Sequence, residues 1–260
     1  MKVPLLLVAA IASAKLFAQK PEFDVASIHP SAPVGMSYST HINTSEGTLR
    51  TQNTTLFDLI VFATKGQPYQ VSGGPAWVKD ARFDVSAKSL EEAKRPKAVT
   101  KAEKEAEDLR MRAMVRNLLA DRFQLKLSEQ QKELPVYALT VDKGGHKLKP
   151  SKSEGGNMNG NRSGDKGSLL GTGVEAESIA QALGGIVDKP VIDETGLEGV
   201  FDFELNYTLD TSANAGDSVA ENAAASVFTA VREQLGLRLV SKKGPVPTWT
   251  VVSAEKPGEN

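Results

Sequence analysis

Apolar positions along this chain either alternate or recur at helical spacing, and the two periods switch in an order that occurs twice. Phe23 to Ile28 alternates and predicts a first strand. Ser39 to Gln52 alternates around Glu46-Gly47, which predicts a hairpin. Leu56, Leu59, Ile60 and Ala63 then take the i, i+3, i+4 and i+7 places of one helix face. Thr55 and Asp58 carry the pattern of a capping box: the hydroxyl accepts from the third helical N–H and the carboxylate reaches back. A short strand and turn over Gln67 to Arg82 lead into the alternating Phe83-Asp-Val-Ser-Ala87. A long helix from Lys101 turns Met111, Met114, Val115, Leu118 and Leu119 inward, and a stripe with this spacing reads as core. Phe123, Leu125 and Leu127 alternate, as do Tyr137, Leu139 and Val141. The charged Ser128 to Leu134 lies between them, which predicts an antiparallel hairpin.

The second half repeats the plan. Ser178 and Gln181 predict another capping box, with Ile179, Ala182, Leu183 and Ile186 as its helix face. Gly73 follows Thr55 at the interval at which Gly196 follows Ser178. Phe83-Asp84 is matched by Phe201-Asp202, and Pro135-Val-Tyr137 by Pro247-Thr-Trp249. Val227, Phe228, Val231 and Leu235 face inward on a last helix that stops at Gly236, before a final hairpin of Leu237 and Leu239 with Trp249 and Val251. The expected fold is α+β, with two repeated β-α-β-β-α-β-β halves, antiparallel hairpins and about four main helices. Residues 151–168, rich in Gly, Ser and Asn, read as a flexible linker between an N-terminal half at 19–150 and a C-terminal half at 169–260. Asp210 to Asp217 reads as a polar loop.

Composition narrows the setting. A chain of 260 residues with 40% hydrophobic and 24% charged residues has enough apolar material for a packed core. Lys2, the apolar run Val3 to Ala14 and the small residues after it predict a signal peptide over residues 1–18, with cleavage after Ala18 favoured over cleavage after Ala14. That run is too short to cross a bilayer, which takes about 20 residues. The expected location is therefore the periplasm or the extracellular space, with no stable membrane insertion after cleavage. The absence of cysteine excludes disulfides, Cys–zinc sites, thiol catalysis and a lipid-modified N-terminal cysteine. Net charge is −1, and the basic residues at 94–104 interleave with glutamates as a solvated face, so no nucleic-acid partner is expected.

The stretches Phe23-Asp-Val-Ala-Ser-Ile28, Gly73-Gly-Pro-Ala-Trp77, Leu118-Leu-Ala-Asp-Arg-Phe123, Leu134-Pro-Val-Tyr-Ala-Leu139, Pro190-Val-Ile-Asp193 and Glu233-Gln-Leu-Gly-Leu237 resemble a family of exported soil-bacterial proteins of uncharacterised function. The resemblance implies export and no known reaction. The chain departs from that pattern at Ser128, where a His is expected, and at Val252-Ser253, where an Ile-Asp-His-like stretch is. Each half also resembles the short N-terminal domains of secretins and TonB-dependent transducers, through its capped helix, the turn from Val191 to Gly199 and the Gln-Leu-Gly-Leu helix end. That likeness implies a docking role in the periplasm.

Candidate chemistry is sparse. His29, His41 and His146 lie far apart and lack metal-ligand spacing, so no metal or other cofactor is expected. There is no Gly-x-Ser-x-Gly elbow, P-loop or His-Glu-x-x-His. Asp193, Glu194 and Asp202 form the one carboxylate group that could carry acid/base work on a glycan, if they face one cleft; otherwise they cap a turn and line a strand. Trp77, next to Gly74-Pro75, offers either a partner-binding ring or a lid on the core, and the core reading is favoured. The leading expectation is a non-enzymatic module that binds another envelope protein or an envelope component. A cell-envelope hydrolase and a small-molecule carrier with a pocket between the halves are the alternatives.

Overall fold

A computed structural model describes residues 20–32, 41–45, 47–153, 156–164, 166–208 and 227–258. The signal segment at 1–18 and the polar loop Asp210 to Asp217 lie outside the described residues. The chain builds one arrangement twice. The first copy runs β1 (Val25–Pro30), β2 (His41–Ser45), β3 (Thr48–Thr55), α1 (Leu56–Thr64), β4 (Val71–Gly73), the single turn α2 (Trp77–Asp80), β5 (Arg82–Lys88), α3 (Lys101–Arg122) and β6 (Lys126–Val141). The second runs β7 (Lys149–Pro150), β8 (Asn157–Ser163), β9 (Lys166–Val174), α4 (Ala176–Val187), β10 (Val191–Asp193), β11 (Phe201–Thr208), α5 (residues 227–235, with π geometry over Val231–Leu235) and β12 (Leu237–Ser253). Each copy has its own antiparallel sheet, in the orders β1-β5-β3-β2 and β7-β11-β9-β8, which coincide when the copies are aligned. The α+β class, the duplication and the four main helices hold.

The copies meet in a third sheet, where the structure departs from the expected pair of hairpins. β6 and β12 are continuous strands of 16 and 17 residues that pair with each other along their whole length. β4 adds parallel to the far end of β12, and β10 adds parallel to the far end of β6. Alternation alone does not say which strand a partner belongs to, and Ser128 to Leu134 contains no residue that a tight turn demands. It is the solvated middle of a strand. Pro135 and Pro247 occupy corresponding places, and exchanging the copies carries the pairing onto itself about Glu133↔Pro245. The ribbon therefore crosses between two cores. Trp249 and Val251 join Ile28, Leu49, Phe83, α1 and α3 in the first, while Leu139, Leu237 and Leu239 join Ile179, Phe203, Leu205 and α5 in the second.

Helix starts follow the strands before them. Asp58 N donates to Thr55 Oγ1 at 3.1 Å and Thr55 N donates to Asp58 Oδ2 at 3.0 Å, the expected capping box. In the second copy the cap is Glu175, not Ser178: β9 ends at Val174 and α4 follows at once, so Ser178 and Gln181 sit inside the helix. Glu175 has the extended backbone of Thr55 (φ −79°, ψ 157°) and no side-chain cap bond. Residues 157–163, expected within a linker, are a strand that pairs with β9 from Asn157↔Thr172 to Ser163↔Lys166. Their composition is polar because β8 is an edge strand whose residues are almost all exposed. Among the described residues, no helix is long and apolar enough to cross a membrane.

Candidate functional site

The structure does not gather the three carboxylates. Asp193 closes β10 by accepting from Thr195 N at 2.9 Å. Glu194 pairs with Lys242 of β12, and its N–H donates to Leu139 O at 2.9 Å. Asp202 lies on β11 in a different sheet, where its Oδ1 accepts from Gly173 N at 2.9 Å and it takes a further bond from the Ser151 hydroxyl. The Ser151 hydroxyl, then the Gly173 N–H, hold the Asp202 carboxyl below the usual range, with Lys149 adding in the same direction.

This arrangement occurs twice. On β5, Asp84 Oδ1 accepts from Asn53 N at 2.8 Å and from Ser31 Oγ at 2.6 Å. Ser31 and Ser151 each follow a proline at the end of β1 or β7, and each donates its backbone N–H across to Arg82 O or Val200 O. Asn53 and Gly173 sit at equivalent register shifts in β3 and β9, with φ of 53° and 65°. A positive φ is tolerated by Asn and is free of strain for Gly. The repeated Phe-Asp thus serves as a latch: its carboxylate pins a bulged strand and the chain leaving the outer strand.

Trp77 is half-buried, stacked on Phe123 (centroids 6.4 Å, 18°) and edge-on to Phe83 (6.5 Å, 81°), with its ring turned to the first core. His29 lies on β1 opposite Asp84, and His146 packs edge-on to Phe201 at 5.7 Å. Among the described residues, no group of His, Asp and Glu has a metal-holding arrangement.

A concavity forms instead where the copies meet. α1 has nine residues and α4 has twelve, so Gly66 to Gln70 are left to cross as a loop ending in the 3-10 turn Pro68–Gln70. Gln70 pins the loop: its Oε1 accepts from Gln67 N at 2.7 Å, and its Nε2 donates to Pro247 O at 2.8 Å. On the facing helix, a Cβ built at Gly184 would lie 3.2 Å from the Tyr69 hydroxyl and 3.1 Å from Lys189 O, so glycine lets the loop come close. Burial, then the charge of Asp188, pushes the Tyr69 hydroxyl up to about 12. The ribbon forms the floor with Glu129, Gln131, Pro245, Pro247 and Trp249, while Pro190 to Ile192 and Gln181 form the second wall. The crevice has a volume of about 520 Å³. A second one, of about 470 Å³ between α3, β8 and α4, shares Gln67 and Gln181 with it.

A family model described as a protein of unknown function (DUF3738) matches residues 57–254. The chain belongs to the DUF3738 family. No curated protein and no solved structure matches it. The DUF3738 match begins inside α1 and runs past the end of β12, so it takes in the ribbon, the latch on β11 and both walls of the crevice. The sequence reading missed Gln67, Tyr69, Gln131 and Gln181. The available signal was Gly184-Gly185 inside an otherwise regular helix, which marks close approach of another segment.

Proposed function

We propose that this DUF3738 protein is an exported, non-enzymatic binding module of the cell envelope, and that it binds at the crevice between its halves. The observation supporting this is the fate of the acidic residues. Asp193, Glu194 and Asp202 are each held in a turn, an ion pair or a latch, and the latch recurs at Asp84, where it likewise ties strands together. Amides, hydroxyls, prolines and aliphatic side chains line most of the crevice, and its one carboxylate, Glu129, has no second carboxylate beside it in the lining, which suits recognition rather than acid/base work by a pair. Export rests on Lys2 and the apolar run Val3 to Ala14. The likeness to secretin and TonB-associated domains adds an expectation of docking in the periplasm.

The test is affinity capture from envelope extract by the mature chain, compared with the double variant Gln131→Arg, Gln181→Arg. Both positions are exposed, so the variant keeps its fold. A component enriched by the wild type and depleted by the variant is expected. Equal recovery by both proteins rules out the crevice as the binding site, and recovery of the mature chain from the cytoplasm in fractionation rules out export.

A further inference from the structure

We infer that the crevice takes a neutral, polyhydroxylated ligand, a short oligosaccharide. The inference rests on the binding-module reading above and names the class of its ligand. Three properties of the lining lead to it.

The first is charge. Lys65 and Glu129, both exposed, are the two charged groups of the lining and offset each other, and the Tyr69 phenol is neutral at physiological pH, as an ordinary tyrosine is. An anionic or cationic ligand would find no net counter-charge here. A concavity of about 710 Å³ in the first copy makes the contrast: there Glu92 is already engaged by Arg95 at 2.8 Å and Arg110 at 3.1 Å.

The second is hydrogen-bonding type. Gln67 and Gln131 each present both a carbonyl acceptor and an amide donor, and Gln181 presents its carbonyl and a second amide N–H, one N–H being donated to Glu177 Oε1 at 3.4 Å. Hydroxyl groups also donate and accept, so a sugar can satisfy both the carbonyl and the N–H of an amide, whereas an apolar ligand would strip water from them and leave them unpaired. The amide of Gln70 is spent on the loop and the ribbon, which fixes the wall that holds Gln67.

The third is shape. Pro190, Pro245 and Pro247 give rigid apolar surfaces between the amides, as the C–H faces of a pyranose require. The volume of about 520 Å³ lies within the usual range of small-ligand sites. Cleavage is not expected, because hydrolysis of a glycosidic bond uses two carboxylates about 5–9.5 Å apart and Glu129 is the one carboxylate in the lining.

The experiment is an NMR titration of the mature chain with chitotriose, cellotriose and trigalacturonate, repeated with the double variant Gln131→Ala, Gln181→Ala. Saturable shifts centred on Gln67, Gln131 and Gln181 are expected with a neutral trisaccharide, weakened at least tenfold in the variant while its thermal transition stays in place. Preference for chitotriose points to an amino-sugar glycan of the wall, and preference for cellotriose to a glycan from outside the cell. Tighter binding of trigalacturonate overturns the inference, as does the absence of shifts with either neutral sugar at about 10 mM, or shifts that the variant leaves unchanged. Capture of an envelope component with no sugar binding overturns this inference alone and leaves the binding-module reading standing. Release of shorter sugars supports the site and overturns the non-enzymatic reading.

Discussion

The two halves follow one backbone course with different side chains. α1 and α4 start from caps with nearly the same φ and ψ, yet Thr55 closes a capping box and Glu175 makes no side-chain cap bond. Both latches hold a bulge, but Asn53 supplies the N–H in one and Gly173 in the other. At Gly173 a Cβ would lie 2.4 Å from Ser153 O, so the second half has no room for the residue the first half uses. The difference in helix length matters most, because the turn missing from α1 releases the loop Gly66 to Gln70, whose Gln67, Tyr69 and Gln70 line the crevice. The duplication therefore fixes strand order and latch geometry, and the site arises where the copies stop matching.

The largest effect should come from the ribbon, where the halves depend on each other. Trp249→Ala removes a ring that is 8% exposed from the first core and should cost about 3–5 kcal/mol. Leu237→Ala empties a fully buried place in the second core and should cost about 2–5 kcal/mol. If the ribbon couples the cores, denaturation of each variant followed by probes in both halves shows one transition. Two separated transitions would break the comparison by making the halves independent.

The latches should come next. Asp84→Asn keeps the shape and weakens bonds to Asn53 N and Ser31 Oγ, at about 1–2 kcal/mol by chemical denaturation. Asp202 is best read through pH. Its folded carboxyl titrates below the usual 3.8, so it favours the folded state above that value, and this contribution is lost as pH falls from 3.8 through the lower folded value. Asp202→Asn should flatten the acid limb of stability against pH in that window and leave the slope near neutrality unchanged. A full-size acid slope in the variant would mean that the second latch does not contribute.

The caps should give the smallest contrast. Thr55→Ala should cost about 1 kcal/mol, and Glu175→Ala within about 0.5 kcal/mol. Equal losses would show that the two helix starts are held alike despite their different geometry.

Much of the fold was legible because local chemistry dictated it. The Thr55 box, the buried stripe Met111, Met114, Val115, Leu118 and Leu119, and the inward residues of α5 depend on neighbours within a few positions. What escaped was set at long range. The pairing of β6 with β12 joins residues 96 to 127 positions apart, from Leu237↔Val141 to Ser253↔Lys126, and each strand has the same alternation whether it folds back or crosses over. Ser178 carried a better cap signal than Glu175, but the end of β9 decided where α4 began. β8 resembled a linker because an exposed edge needs no apolar face. At the candidate site, Asp202 was visible as an acid, but its commitment to Gly173 and Ser151 needed three separate segments brought together. The crevice glutamines have no motif and acquire meaning only from the loop that faces them.

The crossing ribbon also sets a timetable. A chain emerging from its N-terminus presents α1, α3 and the first sheet long before Trp249 and Val251 exist to finish the core they belong to. Each core takes residues from the last strand, so completing either one waits for the whole polypeptide and proceeds through contacts distant in sequence, a slow class of assembly. A chain stopped before Leu237 would lack Trp249 and Val251 in the first core and Leu237 and Leu239 in the second, and so would leave both cores open to proteases.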